Sequence, residues 1–278
     1  AGVLTLTGCT SVQATPAPTS VSSYYGQKLT WTNCGTKLKC STVRVPVDYA
    51  HPAAGSIKIA INWLASTGSA DLGWLLENPG GPGGSGIDFV AAGGPQVASA
   101  KLRKRYNVIG FDPRGVQRSA PIKCLNAKDT DHLLYDDFGP VGSAEEIANS
   151  RAEMKKFIAA CQKNSGKIFG FVDTVSAAKD LDVIRSALGA KKLNYLGFSY
   201  GTFLGTTYAA LFPKNVGRMV LDGAMDRSVV LGYTKIGSGL RRLWWPADAE
   251  PGARRVAISP FTEASSICAT SRTSDRKS

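Results

Sequence analysis

Residues 197–201 read GFSYG, and this stretch decides the fold class of the chain. The G-x-S-x-G pattern follows the apolar run 193–196 and precedes the helix-like run 202–212. A strand, a sharp turn and a helix in that order form a nucleophile elbow, which holds a serine Oγ out at the carboxyl edge of a sheet. Without this frame, the same five letters indicate only a glycine-rich helix start. The frame therefore predicts that Ser199 is a nucleophile.

A second glycine-rich segment, residues 78–86 (NPGGPGGSG), follows a short apolar run. Glycines let backbone amides approach a substrate oxygen without interference from a Cβ atom, and such amides form oxyanion holes. We predict that the amide of Gly81, or that of its neighbour Gly80, acts together with the amide of Tyr200 in this role. A flexible loop is the alternative. A phosphate-binding loop is disfavoured because no G-K-[ST] follows the glycines.

Strand-like and helix-like segments alternate along most of the chain. One helical pattern begins with capping-box spacing at Ser143 and Glu146, and the one before the elbow ends at Gly189. Strands that alternate with helices predict an α/β fold with a mostly parallel sheet and helices on both faces. The predicted strands are residues 57–64, 73–77, 106–111, 193–197 and 216–221.

Charged side chains follow two of these strands. Asp112 and Arg114 belong to the segment DPRG, and we expect them to pair with each other and to brace the elbow and the glycine-rich loop. Asp222 ends the strand after the elbow. A structural role is favoured for Asp222, and the role of catalytic acid is the alternative.

The two histidines of the chain, His51 and His132, both precede Ser199. His51 stands beside a proline and is predicted to lie on the surface. His132 falls in the polar segment 129–137, predicted to be a loop, and is the weak remaining candidate for a base. A serine hydroxyl is a poor nucleophile without a base. The chain as it stands is therefore predicted to have very little activity.

Composition and charge exclude some classes of function. The chain is 43% hydrophobic, which predicts a globular core, and its net charge is +12. Lysines and arginines are spread along the sequence, with the densest cluster at 101–105. No element typical of nucleic-acid recognition accompanies them, so nucleic acid is not an expected partner. A basic surface attracted to an anionic cell envelope is the simpler interpretation.

The first residues indicate export. Residues 6–9 read LTGC, which resembles a bacterial lipobox, and residues 10–23 are rich in Ser, Thr, Pro and Ala. We predict a signal-peptide remnant over 1–9, lipidation at Cys9, and a flexible tether over 10–29. The predicted location is the cell envelope, as a secreted lipoprotein that touches the membrane surface through its lipid anchor. An ordinary secretory signal remnant is the alternative.

The cysteines agree with an oxidising location. Cys34 and Cys40 have a spacing that suits a small loop closed by a disulfide, and Cys124 and Cys161 would form a second bridge. Connectivity cannot be fixed from sequence, and buried free thiols are the alternative. The spacings do not match a zinc site, and we expect no metal or other cofactor. Residues 227–278 lose the strand–helix alternation, which predicts a disordered or frameshifted tail.

Four segments together resemble a known family. Residues 40–52, 78–86, 111–119 and 174–226 are similar to the secreted bacterial α/β-hydrolases of the tripeptidyl aminopeptidase type, relatives of proline iminopeptidase. The resemblance covers about residues 30–226. It implies an α/β-hydrolase fold and a peptide substrate, which is attacked by Ser199 to form an acyl-enzyme. The amides of Gly81 and Tyr200 would hold the oxyanion.

In that family the triad acid and histidine follow a helical cap, which is inserted after the strand that ends here at Asp222. Nothing in this chain matches the acid, the histidine or the cap. The resemblance therefore implies an α/β-hydrolase domain truncated before the cap and the C-terminal strands. The leading hypothesis is a lipid-anchored serine hydrolase that releases short peptides from free N-termini. A non-catalytic truncated remnant and an esterase are the alternatives.

Overall fold

A computed structural model describes residues 20–93, 98–225 and 268–269. The predicted signal-peptide remnant (1–9), the first half of the predicted tether and nearly all of the predicted tail lie outside these residues. The described strands are β1 (Thr32–Gly35), β2 (Leu38–Pro46), β3 (Ser56–Leu64), β4 (Trp74–Asn78), β5 (Asn107–Phe111), β6 (Leu193–Phe198), β7 (Val216–Asp222) and β8 (Cys268–Ala269). The α-helices are α1 (Gly86–Ala92), α2 (Ala100–Arg105), α3 (Ala127–Tyr135), α4 (Ala144–Ser165), α5 (Thr174–Ala187) and α6 (Tyr200–Leu211).

The strands form one mixed sheet in the order β1-β2-β3-β5-β4-β6-β7-β8. Its centre, β5-β4-β6-β7, is parallel, and β1, β2, β3 and β8 pair antiparallel with their neighbours. The predicted α/β fold is confirmed. All five predicted strands are present, each within one residue of its predicted bounds, because the buried strands of a parallel sheet are short continuous apolar runs.

Helices cover both faces of the sheet. Side chains alternate along a strand, so Val108 and Ile109 of β5 point to opposite faces. Val108 packs with Leu64 and with Val90 of α1, whereas Ile109 belongs to the larger core that includes Leu181 of α5 and Leu204 of α6. The elbow lies between β6 and α6, and both of these elements contribute side chains to the larger core.

The helix that precedes the elbow has a defined beginning and end. Asp173 caps α5, because its side chain accepts a hydrogen bond from the Ser176 amide at 2.8 Å. The helix ends at Ala187, and Gly189 follows in a left-handed conformation (φ 66°), as is common after helices. The buried face of α5 includes Ala178, Leu181 and Ile184, which recur at the three-residue spacing of one helix face.

The predicted tether is shorter than expected. The structure describes residues 20–29, and a 3₁₀-helix, Val21–Tyr24, places the Tyr24 side chain in the core with 1% of its surface exposed. Tyr25 and Leu29 pack against the same core. The tether was predicted to end at residue 29, but residues 20–29 already belong to the domain, because these three side chains pack against its core.

Two disulfides are present. Cys34 is bonded to Cys40 across the β1–β2 turn, and Cys124 is bonded to Cys161, which ties the segment before α3 to α4. These are the pairs favoured by the sequence. Among the described residues no helix has the length and apolar character needed to cross a bilayer.

Candidate active site

The elbow places Ser199 at the carboxyl end of β6. Its backbone lies at φ 52° and ψ −121°, a conformation that costs a non-glycine residue free energy and is typical of functional sites. The Ser199 amide donates to the carbonyl oxygen of Asp222 at 2.9 Å, which ties the turn to the end of β7. The Ser199 side chain is exposed. A hydroxyl in this position is accessible to a substrate.

The glycine-rich loop lies directly against the elbow. A Cβ atom on Gly80 would lie 2.3 Å from the carbonyl oxygen of Phe198 and 3.1 Å from the Cβ of Ser199. Gly80 also has a φ of 92°, which L-amino acids rarely adopt. A Cβ on Gly201 would lie 2.8 Å from the carbonyl oxygen of Asn78. Only glycines allow the two segments to approach this closely, so the structure brings the predicted loop and the predicted nucleophile together.

Hydrogen bonds separate the two candidate loop donors. The Gly80 amide donates to the Asn78 side chain at 3.0 Å and is therefore already engaged. Within the described residues, neither the Gly81 amide nor the Tyr200 amide donates a hydrogen bond to a protein acceptor. Tyr200 is also the first residue of α6, where the helix dipole favours negative charge. Of the predicted oxyanion donors, the amides of Gly81 and Tyr200 thus remain free of protein acceptors among the described residues, whereas the Gly80 amide is engaged.

Two threonines hold the elbow, and sequence reasoning missed both. The Thr202 hydroxyl donates to the carbonyl oxygen of Ser199 at 2.7 Å and accepts from the Met225 amide at 2.9 Å. Thr174, at the start of α5, shares a 2.6 Å hydrogen bond with the Tyr200 hydroxyl. These contacts fix the strained turn from the side of β7 and from the side of α5. The position of Thr202 three residues after the nucleophile was the one available signal.

The expected ion pair between Asp112 and Arg114 is wrong. The chain turns after Asp112, so the two side chains point to different parts of the fold. The buried Asp112 carboxylate accepts hydrogen bonds from the Ser85 hydroxyl and from Arg118. Because Ser85 lies in the glycine-rich loop and caps α1, Asp112 braces the end of that loop. The Arg114 guanidinium instead reaches Asp180 of α5, with nitrogen–oxygen distances of 2.6 and 2.7 Å.

Neither histidine bonds to the elbow. His51 is exposed and lies 2.7 Å from Asp48. His132 was expected in a loop but lies in α3, because Asn126 caps this helix by accepting from the Asp129 amide at 2.9 Å. Its nearest charged neighbour is Asp136, which raises the pKa of His132 by hydrogen bonding. The described residues thus provide no base in contact with Ser199.

Asp222 lies next to the nucleophile but acts there through its backbone. Residue 222 pairs in register with Phe198, and its carbonyl oxygen holds the Ser199 amide. The Asp222 residue is exposed, and its carboxylate makes no ion pair within the part of the chain that the structure describes. This is the structural role favoured from the sequence.

Glu77 was not identified from the sequence. It precedes the glycine-rich loop on β4 and is fully buried. Burial raises the pKa of its carboxyl group to about 8, and the positive charge of Arg103 lowers it only in part. Neither carboxyl oxygen has a hydrogen-bond partner among the described residues. Burial thus favours the protonated form of Glu77, next to the glycine-rich loop. No group of His, Cys, Asp and Glu side chains in the described ranges could hold a metal ion.

The chain is similar to several known bacterial hydrolases. The chain is 42% identical over 207 residues to a tripeptidyl aminopeptidase of Streptomyces lividans, an overlap that covers 71% of this chain and 38% of the relative. It is 41% identical over 215 residues to the serine protease Hip1 of Mycobacterium tuberculosis, covering 72% and 40%. It is also 40% identical over 196 residues to carboxylesterase B of the same species, covering 69% and 37%.

The chain spans about two fifths of the length of these relatives. The resemblance inferred from the sequence is confirmed by the first two of them. A family model described as the alpha/beta hydrolase fold matches residues 73–248, which include the glycine-rich loop and the elbow. With its parallel central strands, its elbow at Ser199 and this match, the chain belongs to the α/β-hydrolase fold family.

Proposed function

We propose that this chain is part of a serine hydrolase of the aminopeptidase type, which releases short peptides from free N-termini through an acyl-enzyme on Ser199. The observation that carries the proposal is the contact between the glycine-rich loop and the elbow. Gly80 lies against Phe198 and Ser199, and neither the Gly81 amide next to it nor the Tyr200 amide has a protein acceptor among the described residues. A serine nucleophile next to free backbone amides supports acyl transfer, in which such amides hold the oxyanion. The tripeptidyl aminopeptidase and the serine protease among its relatives support a peptide substrate.

An esterase is the second candidate. An elbow with an oxyanion hole serves esters as well as amides, and one relative is a carboxylesterase. In the family that the sequence resembles, a cap inserted after the strand equivalent to β7 would distinguish these substrates, and nothing in this chain matches it. Activity assays with peptide and ester substrates are therefore needed to distinguish an aminopeptidase from an esterase.

The test begins with the gene. We expect the nucleotide sequence after the Asp226 codon, read in three frames, to yield a late acid and a late histidine. The product that contains them is expected to cleave a tripeptide anilide with a free amino terminus, and to lose activity when that terminus is acetylated. Ser199→Ala is the matched control and should abolish cleavage. A product that hydrolyses p-nitrophenyl esters but neither anilide would contradict the aminopeptidase and favour the esterase.

We also propose that the protein is exported and lipidated at Cys9. The LTGC segment and the Ser/Thr/Pro-rich stretch that follows it support this proposal. Expressed behind a complete signal peptide in a bacterium with a lipoprotein pathway, the mature chain should begin at a diacylated Cys9. Mass spectrometry of the N-terminal peptide measures this, with Cys9→Ser as the control. An unmodified Cys9, or cleavage at another site, would count against the lipid anchor.

A further inference from the structure

The parallel strands β4, β5, β6 and β7 all begin at one edge of the sheet, opposite the edge that carries Ser199. The segments that lead into these strands are residues 66–73, 98–106, 188–192 and 212–218. Together they contain eight lysines and arginines and a single acidic residue, Asp71. Basic residues that look scattered in the sequence are thus gathered by the fold on one edge.

Six of these eight cations remain exposed and without an ion-pair partner within the described residues. The other two are engaged, since Arg105 pairs with Asp71 and Arg103 donates to the carbonyl oxygen of Ala65. We call the six the basic edge: Lys101, Lys104, Lys191, Lys192, Lys214 and Arg218. Unpaired cations on one surface attract anions over a distance of about 10 Å at moderate salt.

A recess of about 650 Å³ opens in the middle of the basic edge. Its lining includes Trp74, Lys191, Lys192 and Arg218, and no carboxylate. A break in the β6–β7 register after Leu193 contributes to it. The Arg218 amide there donates to the Asn194 side chain at 3.0 Å. Such breaks in strand register change the direction of nearby side chains, and here Arg218 lines the recess together with Lys191 and Lys192. The recess is of a size to take a phosphate-bearing head group.

We propose that the basic edge docks on an anionic phospholipid surface, with Ser199 facing away from the membrane. Charge complementarity favours this partner, because the basic edge carries six cations without an ion-pair partner among the described residues and its recess is lined by no carboxylate. The start of the domain is compatible with it. The Gly26 amide donates to Ser186 at 3.1 Å, near the end of α5 that leads into Lys191 and Lys192. Ten residues, 10–19, separate Ser20 from Cys9, and ten residues can span up to about 35 Å.

The experiment uses the full chain with Cys9→Ser, which cannot be acylated, so that binding reports the folded surface alone. Sedimentation with phosphatidylcholine vesicles is compared with vesicles that contain about 30% phosphatidylglycerol, at about 50 and 500 mM salt. We expect binding only to the anionic vesicles, and only at the lower salt concentration. The test variant changes Lys104, Lys191, Lys192 and Arg218 to Gln. The matched control changes four exposed cations in and after α4 to Gln: Arg151, Lys155, Lys163 and Lys167.

A basic side chain near an anionic surface contributes about a fivefold gain in affinity, so the test variant should bind at least about 50-fold more weakly. The control should lose less than about fivefold. Equal losses in the two variants would overturn the proposal, because net charge alone would then explain binding. Equal binding to neutral vesicles would also overturn it. Displacement by glycerol 3-phosphate at constant ionic strength would assign the recess to a free phosphate ligand and contradict membrane docking.

Discussion

Offered a chromogenic tripeptide anilide, the 278-residue chain is expected to show no turnover above background. A serine hydroxyl needs a base to accept its proton, and in this fold the base follows the serine in the sequence. No histidine follows Ser199, and the two that precede it bond to Asp48 and Asp136. Loss of the triad base costs about 10⁶-fold in kcat, even where the oxyanion hole remains.

The measurement is steady-state release of the anilide, with fluorophosphonate labelling of Ser199 as a second readout. Ser199→Ala is the control for contaminating hydrolases. A rate above about 1 s⁻¹ is near the low end of ordinary enzymes. Such a rate, abolished by Ser199→Ala, would show that the chain contains a base after all. His132→Ala would then decide whether that base is the histidine of α3.

The local parts of the site were predictable because short segments determine them. The elbow needs two glycines, a serine, and a strand and helix on either side, and all of these lie within residues 193–212. The glycine-rich loop is equally local. The close packing of the loop against the elbow depends on the tertiary fold. The glycines that it requires, at positions 80 and 201, are nevertheless visible in the sequences of the two segments. Apolar runs likewise located the central strands to within one residue.

The partners of charged residues were not predictable, since they depend on which segments the fold brings together. Arg114 forms an ion pair with Asp180, which is 66 positions away in the sequence, and not with its near neighbour Asp112. The basic edge gathers cations from separate connections for the same reason. The antiparallel strands β1 and β2 were also missed. They lie at the border of the sheet, where β1 is exposed along its whole length, so neither gives a continuous apolar run.

Replacing Arg114 by Met is expected to lower the free energy of unfolding by about 3–5 kcal/mol, because it removes one partner of a buried ion pair. Arg114 and Asp180 are both almost fully buried. The guanidinium also donates to the carbonyl oxygens of Pro46, Val47 and Phe171, at 3.1, 2.9 and 2.9 Å. The variant leaves a buried carboxylate whose remaining donor is the Tyr49 hydroxyl, at 2.8 Å.

Urea unfolding followed by circular dichroism measures this loss. Small domains have only about 5–15 kcal/mol of stability, so the variant could fail to fold, and Tyr49→Phe provides a milder second case. That change removes one hydrogen bond to Asp180 and should cost about 1–3 kcal/mol. Arg105→Met breaks the exposed pair with Asp71 and is the matched control, expected to leave the unfolding midpoint nearly unchanged. If Arg114→Met behaves like that control, then the contact between the DPRG turn and α5 does not stabilise the fold.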